Sequence, residues 1–153
     1  METVVVLREV GDGDLGVLFE NQADPESGAM AGVGARDRDG FLAHQARVTA
    51  DPETLQRVIV LEDGAVAGDI AAWRADGGVR EVGYRIGRRY WGRGIATASL
   101  VAFLAGFSER PLYAHVLKSN AGSIRVLEKC GFVRLAEGEE LDDDPEAYGY
   151  VLR

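Results

Sequence analysis

Cysteine, histidine and proline are scarce in this chain of 153 residues, with one Cys, two His and four Pro. A single cysteine, Cys130, excludes an internal disulfide, and no Cys/His spacing resembles a zinc site, so no metal is expected. Positive charge is also in deficit. Against 25 Asp plus Glu stand 17 Lys plus Arg, a formal net charge of −8. That excludes a broad electrostatic grip on nucleic acid or on an anionic membrane, because both reward clustered basic residues. By modest steering it favours a cationic small partner. Long apolar runs are missing as well: the most apolar stretch, Ile95 to Phe107, is about 13 residues, short of the roughly 20 that span a bilayer. Met1 to Glu9 carries Glu2 and no leading basic cluster, so it does not read as a secretory signal. The expectation is a cytoplasmic protein with neither nucleic-acid nor membrane partners.

What is present suffices for one domain over residues 1–153. With 46% hydrophobic and 27% charged residues, a chain of this length buries roughly two-thirds of its unfolded surface and needs no staples. Thr3 to Glu9 reads as a β-branched strand closed by Gly11-Asp12-Gly13. From Asp14 to Thr49 a helical patch at Leu15, Leu18 and Phe19 gives way to the Gly- and Ala-rich stretch Ser27 to Gly40. A second helical pattern begins at Phe41, so two short helices joined by a mobile loop are expected. Gln56 to Leu61 and Ala65 to Trp73 form a hairpin around Glu62-Asp63-Gly64. After Asp76-Gly77-Gly78, Val79 to Ile86 alternates: Val82, Tyr84 and Ile86 share one face, Glu81 and Arg85 the other. Gly94 to Phe107 reads as a buried helix, Leu112 to Leu117 as a strand, and Asn120 to Cys130 as a helix with Gly131 at its left-handed cap. Phe132 to Ala136 and Tyr148 to Leu152 close the sheet. Between them Glu137 to Glu146 holds seven acidic residues in ten, a solvated loop. The pattern is a single-domain mixed α/β (α+β) fold with a mostly antiparallel sheet of about seven strands flanked by helices.

The most informative segment is the glycine-rich turn from Arg85 to Ala96, between a strand and a helix, with four arginines in nine residues of an acidic chain. Gly92 and Gly94 let backbone approach a ligand, and the following helix aims its free N–H groups at the same point, which suits a phosphate or pyrophosphate. Gly87 and Gly92 have the first spacing of a P-loop, but Arg93-Gly94 stands where Lys and Ser/Thr belong. Gly92-x-Gly94 opens a dinucleotide fingerprint, yet Thr97 replaces the third small residue and the upstream strands form a meander. Both readings fall away.

The remaining pattern, Arg89-x-x-Gly92-x-Gly94 followed by Ile95-Ala96, resembles the pyrophosphate-binding motif of the GNAT family of N-acetyltransferases. Glu81-Val-Gly-Tyr-Arg-Ile86 resembles the family's fourth strand. Asn120-Ala-Gly-Ser123, continuing through Arg125 to Phe132, resembles its final helix and the strand entry after it. These segments lie between Gln56 and Phe132 and look most like the branch containing the ribosomal-protein N-terminal acetyltransferases.

The resemblance implies acetyl-CoA as donor, an amine acceptor (a small molecule or a protein N-terminus), and a sheet splayed between its fourth and fifth strands to admit the pantetheine. Homodimers are common among relatives. Backbone N–H groups from Arg89 through Ala96, including those of Trp91, Gly92, Arg93, Gly94 and Ile95, would hold the pyrophosphate, with Arg88, Arg89 and Arg93 offering charge-assisted contacts. Backbone groups of Tyr84, Arg85 and Ile86 would meet the pantetheine. Glu81 matches the position of the base in related enzymes. Relatives often carry a tyrosine acid four residues before the Gly-Phe pair, where this chain has Leu127. Ser123 is then the candidate to hydrogen-bond the departing sulfur, and Asn120 either binds pantetheine or caps its helix. His44, His115, Trp73, Tyr90 and Trp91 read first as packing residues, any of which can also line a pocket. The missing tyrosine keeps open the alternative of an acyl-CoA-binding or sensing module with reduced turnover.

Overall fold

The computed structural model describes residues 3–31, 34–136, 139 and 144–153. Four strands, β1 (Val5–Arg8), β2 (Leu55–Leu61), β3 (Val66–Arg74) and β4 (Arg80–Ile86), form the expected antiparallel meander. Strands β5 (Leu112–Leu117), β6 (Val133–Arg134) and β7 (Ala147–Leu152) complete a seven-stranded sheet in the order β1-β2-β3-β4-β5-β7-β6. The β4–β5 pair is parallel and short, registering only Arg80 with Leu112 and Glu81 with Tyr113. Beyond Glu81 the two strands part, which is the splay that the resemblance implied.

Helices cover both faces. Helix α4 (Ile95–Gly106) and helix α5 (Ala121–Lys129) lie over the face carrying Ile70, Ala72, Val82 and Ile86, and the core there includes Leu100, Phe103 and Leu127. Helices α1 (Leu15–Ala23), α2 (Pro25–Ala31) and α3 (Arg38–Ala50) belong to the other side, where Leu18 and Phe41 close over Val58. Gly131 takes φ +91° at the end of α5, and Phe132 N–H reaches back to the Leu127 carbonyl at 3.0 Å, so the expected left-handed cap is present.

The region before β2 corrects the sequence reading. Three helices replace the expected two, because Asp24 and Pro25 start a helix, α2, that runs on into the Gly- and Ala-rich stretch. The Asp24 carboxylate accepts from Glu26 N–H at 3.1 Å, and proline is suited to a first helical turn. Helix α3 starts ahead of Phe41 because the Asp37 side chain accepts from Gly40 N–H at 2.8 Å. Of the acidic segment, residues 137–138 and 140–143 lie outside the described residues, as do residues 32–33 of the expected mobile loop.

One glycine fixes how β3 meets β4. A Cβ at Gly68 would sit 1.9 Å from the Arg85 carbonyl oxygen, a backbone atom with no freedom to move aside. Gly68→Ala is therefore expected to destabilise the fold by about 3 kcal/mol, read as a lower urea midpoint at unchanged slope. An unchanged midpoint would contradict this strand register.

Candidate active site

The chain leaves β4 through Gly87 and a short 3₁₀ turn at Arg88–Tyr90, then reverses at two glycines before entering α4. Gly92 and Gly94 both take positive φ, +77° and +74°, a region that L-residues enter at a cost. Gly94 is the N-cap of α4, so the N–H groups that follow, those of Ile95 and Ala96 among them, have no partners within the helix and point with its dipole towards the turn. The Ile95 side chain is buried in the core, which anchors the helix start and leaves only that residue's backbone for a ligand. Trp91 is fixed from outside: its indole N–H donates to the Ile86 carbonyl at 2.8 Å.

The arginines of the turn divide. Arg89 and Arg93 are exposed and flank the Tyr90 ring, with Cζ 5.2 and 5.7 Å from its centroid. Arg88 differs from them: its guanidinium is tied to Asp24 at 3.1 Å and to Glu26 at 3.0 Å. That pair fastens the turn to the α1–α2 junction and commits Arg88's charge there.

An open cleft of about 1260 Å³ runs from this turn along the gap between β4 and β5. Successive residues of both strands line it, Val82 through Ile86 and Ala114 through Leu117. Neighbouring side chains on a strand point to opposite faces, so the cleft passes through the sheet. Its volume exceeds the roughly 300–1,000 Å³ of a single-ligand pocket. Where the pairing ends, Glu81 meets His115, with Oε1 2.7 Å from Nδ1 and side chains 16% and 27% exposed. His115 lines the cleft. Local sequence gave no sign of this pair, since it depends on the parallel register of β4 with β5.

On the opposite face, Tyr84 and Ser123 share a hydrogen bond of 2.6 Å between their hydroxyls. Burial pushes the Tyr84 phenol up to about 12, only partly offset by that bond. Sequence reasoning valued Tyr84 for its backbone and missed its hydroxyl. Asn120 caps α5, its Oδ1 accepting from Ser123 N–H at 3.1 Å. Leu127 is buried in the core, so this helix position presents no proton donor to the cleft. Cys130 closes α5 as its C-cap, and burial raises its thiol pKa, the environment of a packed rather than a reactive cysteine.

The described residues contain no helix long and apolar enough to cross a membrane. The family model for the acetyltransferase (GNAT) domain matches residues 5–133. No curated protein sequence matches the chain. Among solved structures, an acetyltransferase from Agrobacterium tumefaciens is similar over 100% of this chain and 93% of its own, at 21% identity and a TM-score of 0.82. An acetyltransferase from Thermus thermophilus is similar over 99% of both chains, at 21% identity and a TM-score of 0.78. Spermidine N-acetyltransferase from Vibrio cholerae, solved with CoA and spermine, is similar over 96% of this chain and 92% of its own, at 16% identity and a TM-score of 0.79. At these identities the likeness is one of fold.

Proposed function

The chain belongs to the GNAT acetyltransferase domain family, and from that premise we propose that it is an acetyl-CoA-dependent N-acetyltransferase of the cytoplasm. It acts as one catalytic domain and transfers acetyl directly, in a ternary complex, to a primary amine of a small molecule or a protein N-terminus. The observation that carries this reading is the glycine turn at the start of α4, standing at the mouth of a cleft where β4 and β5 part. Pyrophosphate sits on the N–H groups at the start of α4, with Arg89 and Arg93 adding charge from the rim. Pantetheine runs along the unpaired edge of β4, bonded to the backbone of Tyr84, Arg85 and Ile86.

The amine enters from the α1–α3 side. Its lone pair forms the new C–N bond at the thioester carbon, the C–S bond breaks, and the amine proton passes to the Glu81–His115 pair. Backbone N–H of β4 stabilises the charge developing on the carbonyl oxygen. The departing thiolate belongs to a thiol with a pKa near 8.5, well below a phenol at about 12. Proton transfer from Tyr84 therefore runs uphill, and the Tyr84–Ser123 pair helps by donating a hydrogen bond to sulfur. Tyr84→Phe and Ser123→Ala are each expected to lower kcat by about 3- to 10-fold, the range of one neutral hydrogen bond. A loss above 10³-fold in either would instead mark a required proton donor.

Leu127 favours a second reading, an acyl-CoA-binding module with reduced turnover. Thiol release from acetyl-CoA across a panel of primary amines tests the choice. Amine-dependent release supports the transferase, and tight acetyl-CoA binding without release under any amine supports the module.

A further inference from the structure

The half of the cleft below α1–α3 gathers basic side chains from separate elements. Arg85 stands opposite Asp69 in the β3–β4 register, so alternation turns its side chain away from Tyr84 and Ile86 and towards the α1–α3 side. Arg36 comes from the segment before α3 and His44 from α3 itself, and all three line the cleft. The Arg36 charge reaches both of the others: burial lowers the Arg85 pKa, the Asp69 charge offsets part of that and Arg36 lowers it further, while burial and then Arg36 lower the pKa of His44. Arg47, also on α3, adds to the repulsion on His44. Among the described residues, the Arg85 guanidinium forms no hydrogen bond and no ion pair.

Asp69 attracts Arg85 from beyond contact distance and so leaves the guanidinium donors unused. Its carboxylate already accepts from Gln56 Nε2 at 3.1 Å, Gln56 is held in turn by Gln45 at 2.7 Å, and burial pushes the Asp69 pKa up. A partly buried guanidinium with its donors unused is costly to maintain. A carboxylate would satisfy it in bidentate geometry.

We propose that Arg85, supported by Arg36, forms an anion subsite that binds a carboxylate carried by the acceptor amine. The proposal rests on the acetyl-transfer reading for the placement of the amine beside Glu81 and His115. Glu81 and Arg85 lie four residues apart on β4, about 13 Å along a strand. With the arginine side chain reaching back, amine and carboxylate are separated by roughly 7 Å, as in an extended 6-aminohexanoate. This reverses the steering expected from net charge, because that charge belongs to the chain as a whole, with seven acidic residues in 137–146 alone, whereas these arginines converge inside the cleft.

The test compares 6-aminohexanoate, 6-aminohexanamide and spermidine as acceptors for the wild type and Arg85→Gln, with acetyl-CoA affinity measured alongside. The wild type is expected to favour the carboxylate over the amide and the polyamine by tenfold or more in kcat/KM. Arg85→Gln is expected to bring the carboxylate-to-amide ratio near one, with acetyl-CoA affinity kept within a factor of about two. Arg36→Gln, off the sheet and safe for folding, lowers the ratio by a smaller factor. Equal wild-type rates on carboxylate and amide, or an unchanged ratio in both variants, would overturn the subsite. So would a fall in acetyl-CoA affinity matching the loss of preference, which would assign the arginine to a donor phosphate. If no amine releases CoA, the transfer reading fails by itself, and titration with N-acetyl-6-aminohexanoate still decides the subsite. Binding tighter than that of its amide, lost in Arg85→Gln, supports the subsite; equal binding of acid and amide removes it.

Discussion

Glu81→Gln is expected to lower kcat/KM for acetyl transfer by about 10²–10⁴-fold, the range of one general base, with acetyl-CoA affinity unchanged. The glutamine keeps the size of the side chain and a hydrogen-bonding partner for His115, now 2.7 Å from the carboxylate, but it cannot carry the negative charge that holds the amine's proton. Steady-state thiol release with a saturating amine gives the rate, and calorimetric titration gives the affinity. Turnover retained within about threefold would remove Glu81 from the chemistry and leave proton removal to His115 or to water. Loss of binding and turnover together would place Glu81 in the architecture of the donor cleft instead.

Gly94→Asp is expected to weaken acetyl-CoA binding by at least 100-fold while the fold survives. The substitution puts a carboxylate at the point where the N–H groups of α4 converge, so it competes with the pyrophosphate for the same donors and repels it. The cost to folding is small. Gly94 has φ +74° and its added Cβ would meet Thr3 Oγ1 at 3.3 Å, but aspartate is among the residues that tolerate left-handed backbone. A destabilisation of about 1 kcal/mol is therefore expected. The separation matters: lost binding in a protein that still melts cooperatively implicates the turn, whereas normal acetyl-CoA affinity would place the donor elsewhere.

The order of strands and helices was legible because it follows from local pattern. Alternation at Val82, Tyr84 and Ile86, and the glycine at position 131, specify their backbone without distant help. Helix α2 was legible in principle through Asp24 and Pro25, a cap followed by a helix-starting proline, but the Gly- and Ala-rich composition around it argued for a loop. The turn's glycines pointed to the proposed anion site, whereas the division of labour among its arginines was not legible. Arg88 is claimed by Asp24 and Glu26 from another part of the chain. The Glu81–His115 and Tyr84–Ser123 pairs are long-range in the same sense: they exist because β5 and α5 are brought back to β4. Arg85 was read for its backbone: alternation put its side chain on the Glu81 face, but only the parting of β4 from β5 opens a cleft there.

The central claim is that the turn from Arg89 to Ala96 binds the pyrophosphate of CoA. Thermal unfolding of the protein with acetyl-CoA, CoA and NADH, each at about 1 mM, tests it most directly. A ligand at about 100 times its dissociation constant adds roughly 2.7 kcal/mol to stability, a shift of several degrees in Tm for a domain of this size. The account predicts that acetyl-CoA and CoA raise Tm, that NADH does not, and that Gly94→Asp abolishes the shift. No shift with either CoA species, or an equal shift with NADH, would contradict it.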